Sequence, residues 1–157
     1  MLPVEQELEG NAWENTLRTV AGLLRVFETT LQQELDLPLA WFDVLTSLNA
    51  APGGRMRMQT LAESLILTRS GVTRLVDRVE KAGLVKREPA AEDRRGYYAI
   101  LTEAGKSMVQ RAQEIHGKDI DENFTRYLTQ REMGNLYSMM RKVWTGNPAL
   151  LGSRQDA

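Results

Sequence analysis

The sequence predicts a mainly α-helical fold with one small β-hairpin. Three observations support this fold class. Apolar residues recur at helical spacing near both ends of the chain, three shorter helical patterns lie in the middle, and two strand-like runs follow them with a polar connection between them. With 157 residues, the chain is long enough for one compact domain and an appendage.

The first element is predicted to be a long amphipathic helix. Steps of four and three residues separate its apolar positions, which are Trp13, Leu17, Val20, Leu24, Phe27 and Leu31. This narrow seam has the spacing of a coiled-coil contact. A helix of about 20–25 residues would be roughly 30–37 Å long. Because that length is large for a small domain, we expect part of the helix to pack on a second copy of the chain.

Two shorter helices are predicted next. Pro38 suits the first turn of one of them, whose inward positions include Trp41 and Phe42. A loop over residues 51–54, rich in proline and glycine, ends this helix. The second is a short helix over residues 58–65.

The clearest element is a helix over residues 68–82. Thr68 can cap its N-terminus through the side-chain hydroxyl, and Gly83 suits the left-handed position that follows a helix. The inward positions follow the i, i+3, i+4, i+7 pattern and are Val72, Leu75, Val76 and Val79. The opposite face of this helix is polar and is expected to point outward.

A β-hairpin is predicted after this helix. Its strands cover residues 84–88 and 97–101, and the charged connection over residues 89–96 has Pro89 and Gly96 at its ends.

Two further helices complete the predicted fold. Thr102 can cap the first, and Thr129 with Glu132 forms a capping box that opens the second. The apolar positions of the last helix are expected to point inward and are Met133, Leu136, Met140 and Val143. The tryptophans Trp13 and Trp144 are interpreted as core residues.

The composition excludes several classes of function. The sequence has no cysteine and one histidine, His116, so disulfides, thiolate metal sites and a dedicated zinc site are not expected. No apolar run is long enough to span a membrane, and the N-terminus lacks the apolar segment of a signal peptide. We expect a cytoplasmic protein without a membrane partner, metal or cofactor. The sequence has no pairing of nucleophile and base that would indicate an enzyme.

Positive charge is concentrated in the middle of the chain. The whole sequence has a net charge of −1, but residues 1–54 carry −6 and residues 55–95 carry +4. A basic block is expected where a protein surface meets phosphate, and its ordinary alternative is a solvated charged face.

The basic block has the element order of a winged helix-turn-helix, in which two helices joined by a turn are followed by a hairpin, the wing. The second helix of such a unit enters the DNA major groove with its N-terminal residues at the base edges. The outward residues at this end of the helix have side chains or backbone groups that suit bases and phosphates, and they are Thr68, Arg69, Ser70, Thr73 and Arg74. We predict that these five residues contact DNA.

The wing adds two arginines to the predicted DNA surface. Arg94 and Arg95 lie together on the hairpin connection, where a guanidinium can enter the minor groove. Asp93 would repel DNA, and we expect it to pair with a nearby arginine and so hold the shape of the wing.

The same residues resemble a known family. The matching motifs are, in order, Leu61-Ala62-Glu63, the segment 70–85, Glu92-Asp93-Arg94-Arg95 and the segment 101–105. Over residues 58–105 the sequence resembles the MarR family of bacterial transcription regulators. The resemblance implies a homodimer with interlocking terminal helices, repression or less often activation that a small ligand relieves, and a minor-groove role for Arg94 or Arg95. An isologous dimer reads an inverted repeat, so the double-stranded DNA operator is expected to be pseudo-palindromic.

These predictions divide the chain into regions. Residues 1–36 and 103–146 form a helical dimerisation region, residues 37–102 form the winged helix-turn-helix domain, and residues 147–157 form a flexible tail. Trp41 and Phe42 are candidates for a ligand pocket between the first two regions, with core packing as the alternative. Elimination and analogy with the family favour a small organic effector such as an aromatic acid or phenol.

One other function fits the predicted fold. A winged helix can serve as a module that contacts only protein. Such a module has no need of Arg94 and Arg95, nor of an outward polar face beside Ser70. The regulator is therefore the leading interpretation and the protein-contact module is the alternative.

Overall fold

A computed structural model describes residues 4–65, 69–90 and 93–148 of the chain. Its mainly helical architecture with a small antiparallel sheet confirms the predicted fold class. The elements are α1 (Val4–Leu35), α2 (Leu39–Ala50), β1 (Arg55–Arg57), α3 (Met58–Ser64), α4 (Arg69–Lys81), β2 (Val85–Ala90), β3 (Asp93–Leu101), α5 (Glu103–Asn123) and α6 (Gln130–Gly146). Among the residues that the structure describes, no helix has the length and apolar character needed to cross a membrane.

The predicted long helix is confirmed in α1, which has 32 residues and a length of about 48 Å. Leu31, near its C-terminal end, is buried in the core. Trp13 is 66% exposed, and three further seam positions are also exposed, namely Leu17, Val20 and Leu24. The interpretation of Trp13 as a core residue is therefore wrong for the single chain, because this half of α1 extends past the core.

The sheet has three antiparallel strands in the order β1-β3-β2. β1 was not predicted, because three residues between a loop and a helix are too few for an alternating pattern. The prediction of a connection over residues 89–96 is wrong, since β2 continues to Ala90 and β3 begins at Asp93. An edge strand such as β2 tolerates Pro89, because a missing N–H there need not break a ladder hydrogen bond.

The apolar core lies between the central helices, one face of the sheet and the first half of α5. Its fully buried residues include Leu45, Leu61, Val76, Ala99 and Val109. All four apolar positions predicted for the helix over residues 68–82 belong to this core. Burial of these side chains from α4 fixes which face of that helix points to solvent.

The end of α4 is joined to the start of α5. Gly83 has a φ of 76°, and the N–H groups of Gly83 and Leu84 donate to carbonyls in the last turns of α4. The Thr102 hydroxyl donates to the carbonyl of Gly83 at 2.7 Å and accepts from the N–H of Gly105 at 3.0 Å. The predicted roles of Gly83 at the end of α4 and of Thr102 as the N-cap of α5 are confirmed.

The last helix begins as predicted but does not pack as predicted. The capping box of Thr129 and Glu132 is present, and its hydrogen bonds with Thr129 hold the pKa of the Glu132 carboxyl below its ordinary value. No residue of α6 is buried, however, and Val143 is 58% exposed and Trp144 44% exposed. The prediction of an inward apolar face is wrong for the single chain, because helical periodicity identifies such a face but not what covers it.

Candidate nucleic-acid interface

One face of α4 has the position and chemistry of a DNA-reading surface. Its apolar face is buried, and Ser70, Thr73 and Arg74 are all exposed near its N-terminus. Hydroxyls and a guanidinium can bond to base edges or to phosphates. The geometry meets the requirement for contact with DNA, and the contacts themselves stay a prediction.

Two other predicted residues lie at the beginning of this helix. Arg69 is the first residue of α4, which brings it next to Ser70, but its side chain lies outside the part of the chain that the structure describes. Thr68 lies outside the described residues altogether, so its predicted N-cap role stays a prediction.

The predicted wing residues belong to β3. The backbone of Asp93, Arg94 and Arg95 forms the first three residues of this strand, at the end of the hairpin farthest from α5. Their side chains are outside the described part of the structure. The sheet therefore brings these residues to one end of the hairpin, and the pairing of Asp93 with an arginine stays a prediction.

An arginine that the sequence analysis did not single out joins the wing to α4. Arg87 of β2 contacts the Asp77 carboxylate at 2.8 Å through Nη1 and the Glu80 carboxylate at 2.6 Å through Nη2. The backbone N–H of Arg87 also donates to Glu80, at 2.9 Å. The hydrogen bond with Glu80 is the main reason that the pKa of Arg87 is raised above its ordinary value. This network holds the wing in register with the helix that would enter the groove.

A cluster of aromatic side chains lies between α1, α2 and α5. The His116 ring packs edge-on against Phe27, with ring centroids 4.5 Å apart, and against Phe42, with centroids 5.1 Å apart. The His116 Nδ1 atom is buried and has no hydrogen-bond partner among the described residues. Phe42 is buried and Trp41 is half-buried beside the core. The sequence analysis considered His116 only as a zinc ligand, and no local pattern connects it with Phe42, which is 74 positions away.

Carboxylates adjoin this aromatic cluster. Partial burial raises the pKa of the Asp43 carboxyl above its ordinary value, His116 lowers it, and Glu28 raises it. Asp119 is buried, and its Oδ2 atom also has no hydrogen-bond partner among the described residues. The region is therefore an aromatic cluster with polar atoms that remain able to bond.

Comparisons with known proteins agree with this geometry. Residues 35–96 match the MarR family. The multiple antibiotic resistance protein MarR of Escherichia coli is 30% identical over 109 residues, which are 69% of this chain and 74% of that protein. A MarR family transcriptional regulator from Streptomyces coelicolor, solved in complex with DNA, is 30% identical with a TM-score of 0.83, over 93% of this chain and 89% of that one.

A mutant of Escherichia coli MarR complexed with operator DNA has a TM-score of 0.75 at 27% identity, over 83% of this chain and 91% of that one. The predicted resemblance is thus confirmed in sequence and in structure, and the matched residues 35–96 include α4, β2 and the first residues of β3. The protein belongs to the MarR family of transcriptional regulators, whose fold includes a DNA-binding winged helix.

Proposed function

We propose that this protein is a repressor that binds a pseudo-palindromic operator as a homodimer and leaves it when a small organic ligand binds. The observation that carries this proposal is the polar face of α4. Ser70, Thr73 and Arg74 are exposed there, while the opposite face of the helix is held in the core. A recognition helix needs this combination, because its base-reading side chains must be free of the core and still be held rigidly.

The relatives support the choice of DNA as the partner. The Streptomyces coelicolor regulator was solved with DNA, and the Escherichia coli MarR mutant was solved with operator DNA. By analogy, Thr68, Arg69 and the exposed residues of α4 contact the major groove, and Arg94 and Arg95 enter the minor groove. Asp93 supports the shape of the wing. Because the DNA of a bacterial cell is in the cytoplasm, we expect the protein to act there.

The homodimer is supported by the apolar residues that the single chain leaves exposed. They lie on α1 and α6 and include Trp13, Leu17, Tyr137, Val143 and Trp144. A monomer rarely exposes so many large apolar side chains on two helices. Under this proposal, residues 1–36 and 103–146 form the dimerisation region and residues 37–102 form the DNA-binding domain. An isologous dimer implies half-sites about one turn, roughly 10 base pairs, apart.

We propose that the ligand binds at the aromatic cluster formed by Phe27, Phe42 and His116. Trp41 and Phe42 supply apolar contacts. The buried Nδ1 of His116, which has no hydrogen-bond partner within the described part of the chain, supplies a polar group for a phenol or a carboxylate. The cluster joins α1 and α5 of the dimerisation region to α2 of the DNA-binding domain. A ligand that binds more tightly to one relative arrangement of these helices would shift the population of DNA-binding dimers.

The proposal is tested by gel-shift and light scattering together. Purified protein is titrated onto the DNA upstream of its own gene and onto a scrambled duplex, and the mass of the free protein is measured at micromolar concentration. The expected results are specific retardation and a mass of twice 17.8 kDa. Aromatic acids and phenols are then added, and at least one should release the DNA. Failure to bind any duplex would instead favour the protein-contact module.

A further inference from the structure

We infer that Tyr97 of β3 is an additional DNA-contact residue, and that its hydroxyl donates to a phosphate between the two grooves that α4 and the wing tip would occupy. Tyr97 is not among the residues that the sequence predicts to contact DNA. The inference rests on the proposed DNA binding and extends it to the surface that joins the recognition helix to the tip of the wing.

Tyr97 lies on the face of the sheet that is turned toward the core. The pairing of β3 with β2 is regular from Leu101 to Tyr97, with Ala99 opposite Arg87 and Tyr97 opposite Pro89. Ala99 and Leu101 are both buried. Because side chains alternate between the two faces of a strand, Tyr97 points to the same side as these two residues.

The same face carries the contacts between the wing and α4. Arg87, opposite Ala99, shares this face, and its guanidinium contacts Asp77 and Glu80 of α4. Tyr97 is two residues beyond Ala99, a distance of about 7 Å in a strand, in the direction of the wing tip. Tyr97 therefore lies between the recognition helix and the tip.

The regular pairing of the hairpin ends at Tyr97. A regular ladder would continue from the pair of Pro89 and Tyr97 by placing Gly96 opposite Ala90, but Ala90 pairs with Asp93 instead. A bulge of this kind bends a strand and changes the direction of its side chains. Tyr97 is thus the last residue whose orientation the regular pairing fixes, and it marks the base of the tip.

The Tyr97 side chain is accessible to a partner outside the chain. It is 47% exposed, whereas Ala99 on the same face is fully buried. A single exposed aromatic residue is common on protein surfaces, so this exposure has meaning only through its position. The carboxylates of Asp77 and Glu80 already accept from Arg87, so neither requires Tyr97 as a donor.

The proposed docking brings one DNA strand opposite Tyr97. A major groove and the neighbouring minor groove are separated by a single sugar–phosphate backbone. When α4 enters the major groove and Arg94 and Arg95 enter the adjacent minor groove, the surface between them meets that backbone. Tyrosine hydroxyls are among the groups that bond to phosphate oxygens, and such contacts fix the position of a protein on the duplex without reading its sequence.

The first test compares Tyr97→Phe with a matched control, Tyr127→Phe. Both variants remove one hydroxyl from an exposed ring, and Tyr127, which is 73% exposed, lies in the turn between α5 and α6. Dissociation constants are measured for the operator and for operators with single-base changes. The salt concentration is varied from about 50 to 300 mM, because the salt dependence counts the charged phosphate contacts.

Tyr97→Phe should bind about tenfold more weakly, because each dimer loses two hydrogen bonds to charged acceptors. The loss should be equal on all operators, and the slope of log affinity against log salt should stay unchanged, since a neutral side chain releases no counterion. Tyr127→Phe should bind like the unmodified protein. Unmodified affinity for Tyr97→Phe would overturn the inference, and so would a reduced salt slope, which would mean that the wing arginines had been displaced.

A second test locates the phosphate. Methylphosphonate linkages, which replace one phosphate oxygen by a methyl group and remove the charge, are introduced singly along the backbone between the two grooves. For the unmodified protein, one linkage in each half-site should weaken binding. For Tyr97→Phe the same linkage should have a smaller effect, because the hydrogen bond that it removes is already absent. Effects that add at every linkage would contradict the contact.

Two measurements separate this inference from the function on which it rests. Operator binding by the unmodified protein tests the proposed function by itself. If the unmodified protein binds and Tyr97→Phe binds equally well, only the role of Tyr97 is refuted. Thermal unfolding of Tyr97→Phe should match that of the unmodified protein, because the ring is retained, and a lowered midpoint would assign the loss of affinity to the fold and overturn the contact.

Discussion

A methyl group added to Gly105 would lie 2.0 Å from the carbonyl oxygen of Leu84. Contacts between a side-chain carbon and a backbone oxygen are never this short, so α5 approaches the end of α4 only because residue 105 has no side chain. The substitution Gly105→Ala should therefore separate the two helices at their junction. We expect a loss of about 1–3 kcal/mol in the free energy of unfolding, measured by urea denaturation at fixed protein concentration.

A control for this substitution is available in the same helix. A methyl group added to Gly117 would meet nothing within 4 Å. Gly117→Ala should therefore stabilise the protein by about 0.5–1 kcal/mol, because alanine loses less backbone freedom in a helix. Opposite signs for the two substitutions would identify the clash with Leu84 as the cause, and equal signs would contradict it.

The network around Arg87 predicts a coupling between the wing and α4. Arg87→Met keeps the length of the side chain but removes its contacts with Asp77 and Glu80. Because these groups are partly exposed, the expected loss of stability is only about 1 kcal/mol, and the operator should bind more weakly as the wing loses its register. Lys86→Met, next along the strand, removes an exposed pair and should leave the unfolding midpoint where it was. A normal operator affinity for Arg87→Met would show that the wing does not need this support.

Arg94 and Arg95 predict an electrostatic contribution that is independent of sequence. The variant Arg94→Ala with Arg95→Ala should weaken binding to operator and to non-specific DNA together and should flatten the salt dependence. The measurement is a salt titration with both kinds of duplex. Wild-type affinity at physiological salt would remove the wing from the proposed interface.

Thr73 and Arg74 predict a different result. Each is exposed on α4, so its alanine variant should fold normally. If either side chain meets a base edge, the variant should lose about 1–3 kcal/mol of discrimination at defined operator positions. A phosphate contact would instead weaken all operator variants equally. A panel of single-base changes distinguishes the two, and no effect from either variant would argue that α4 does not enter the groove.

Asp43 predicts a pH dependence of stability. Its raised pKa means that the folded protein holds a proton there more tightly than the unfolded chain, so ionised Asp43 lowers stability. This loss begins as the pH rises through the ordinary pKa of 3.8 and is complete above the raised value. Asp43→Asn should therefore stabilise the protein at neutral pH, by less than about 1 kcal/mol, and the gain should vanish below pH 3.8. Glu114→Gln, on the exposed side of α5, is the control, and a gain for Asp43→Asn that persists in acid would contradict the electrostatic cause.

The features that could be predicted from the sequence are those that depend on neighbouring residues. Gly83 and the Thr129–Glu132 pair are local signals, and the burial of Val76 follows from the period of a single helix. The exposed face of α4 follows from the same period. These patterns gave the correct order of the helices and the correct outward side of the candidate recognition helix.

The features that were missed depend on contacts between distant segments. β1 is recognisable only through its pairing with β3, more than 40 positions away. The contacts of Arg87 with α4 and of His116 with Phe27 arise from packing between elements, and no spacing within either segment indicates them. The reach of β2 past Pro89 depended on its position at the edge of the sheet, which the sequence pattern does not reveal.

The absence of buried residues in α6 has a consequence for how assembly can be observed. An isolated helix of this length is marginal in water, and most helices in proteins gain their stability from packing. The amide protons of α6 should therefore exchange slowly only while another surface covers the helix, whereas those of α4, whose apolar face is buried within the chain, report the stability of the chain itself. The ratio of exchange rates in these two helices is thus an internal gauge of assembly that requires no label.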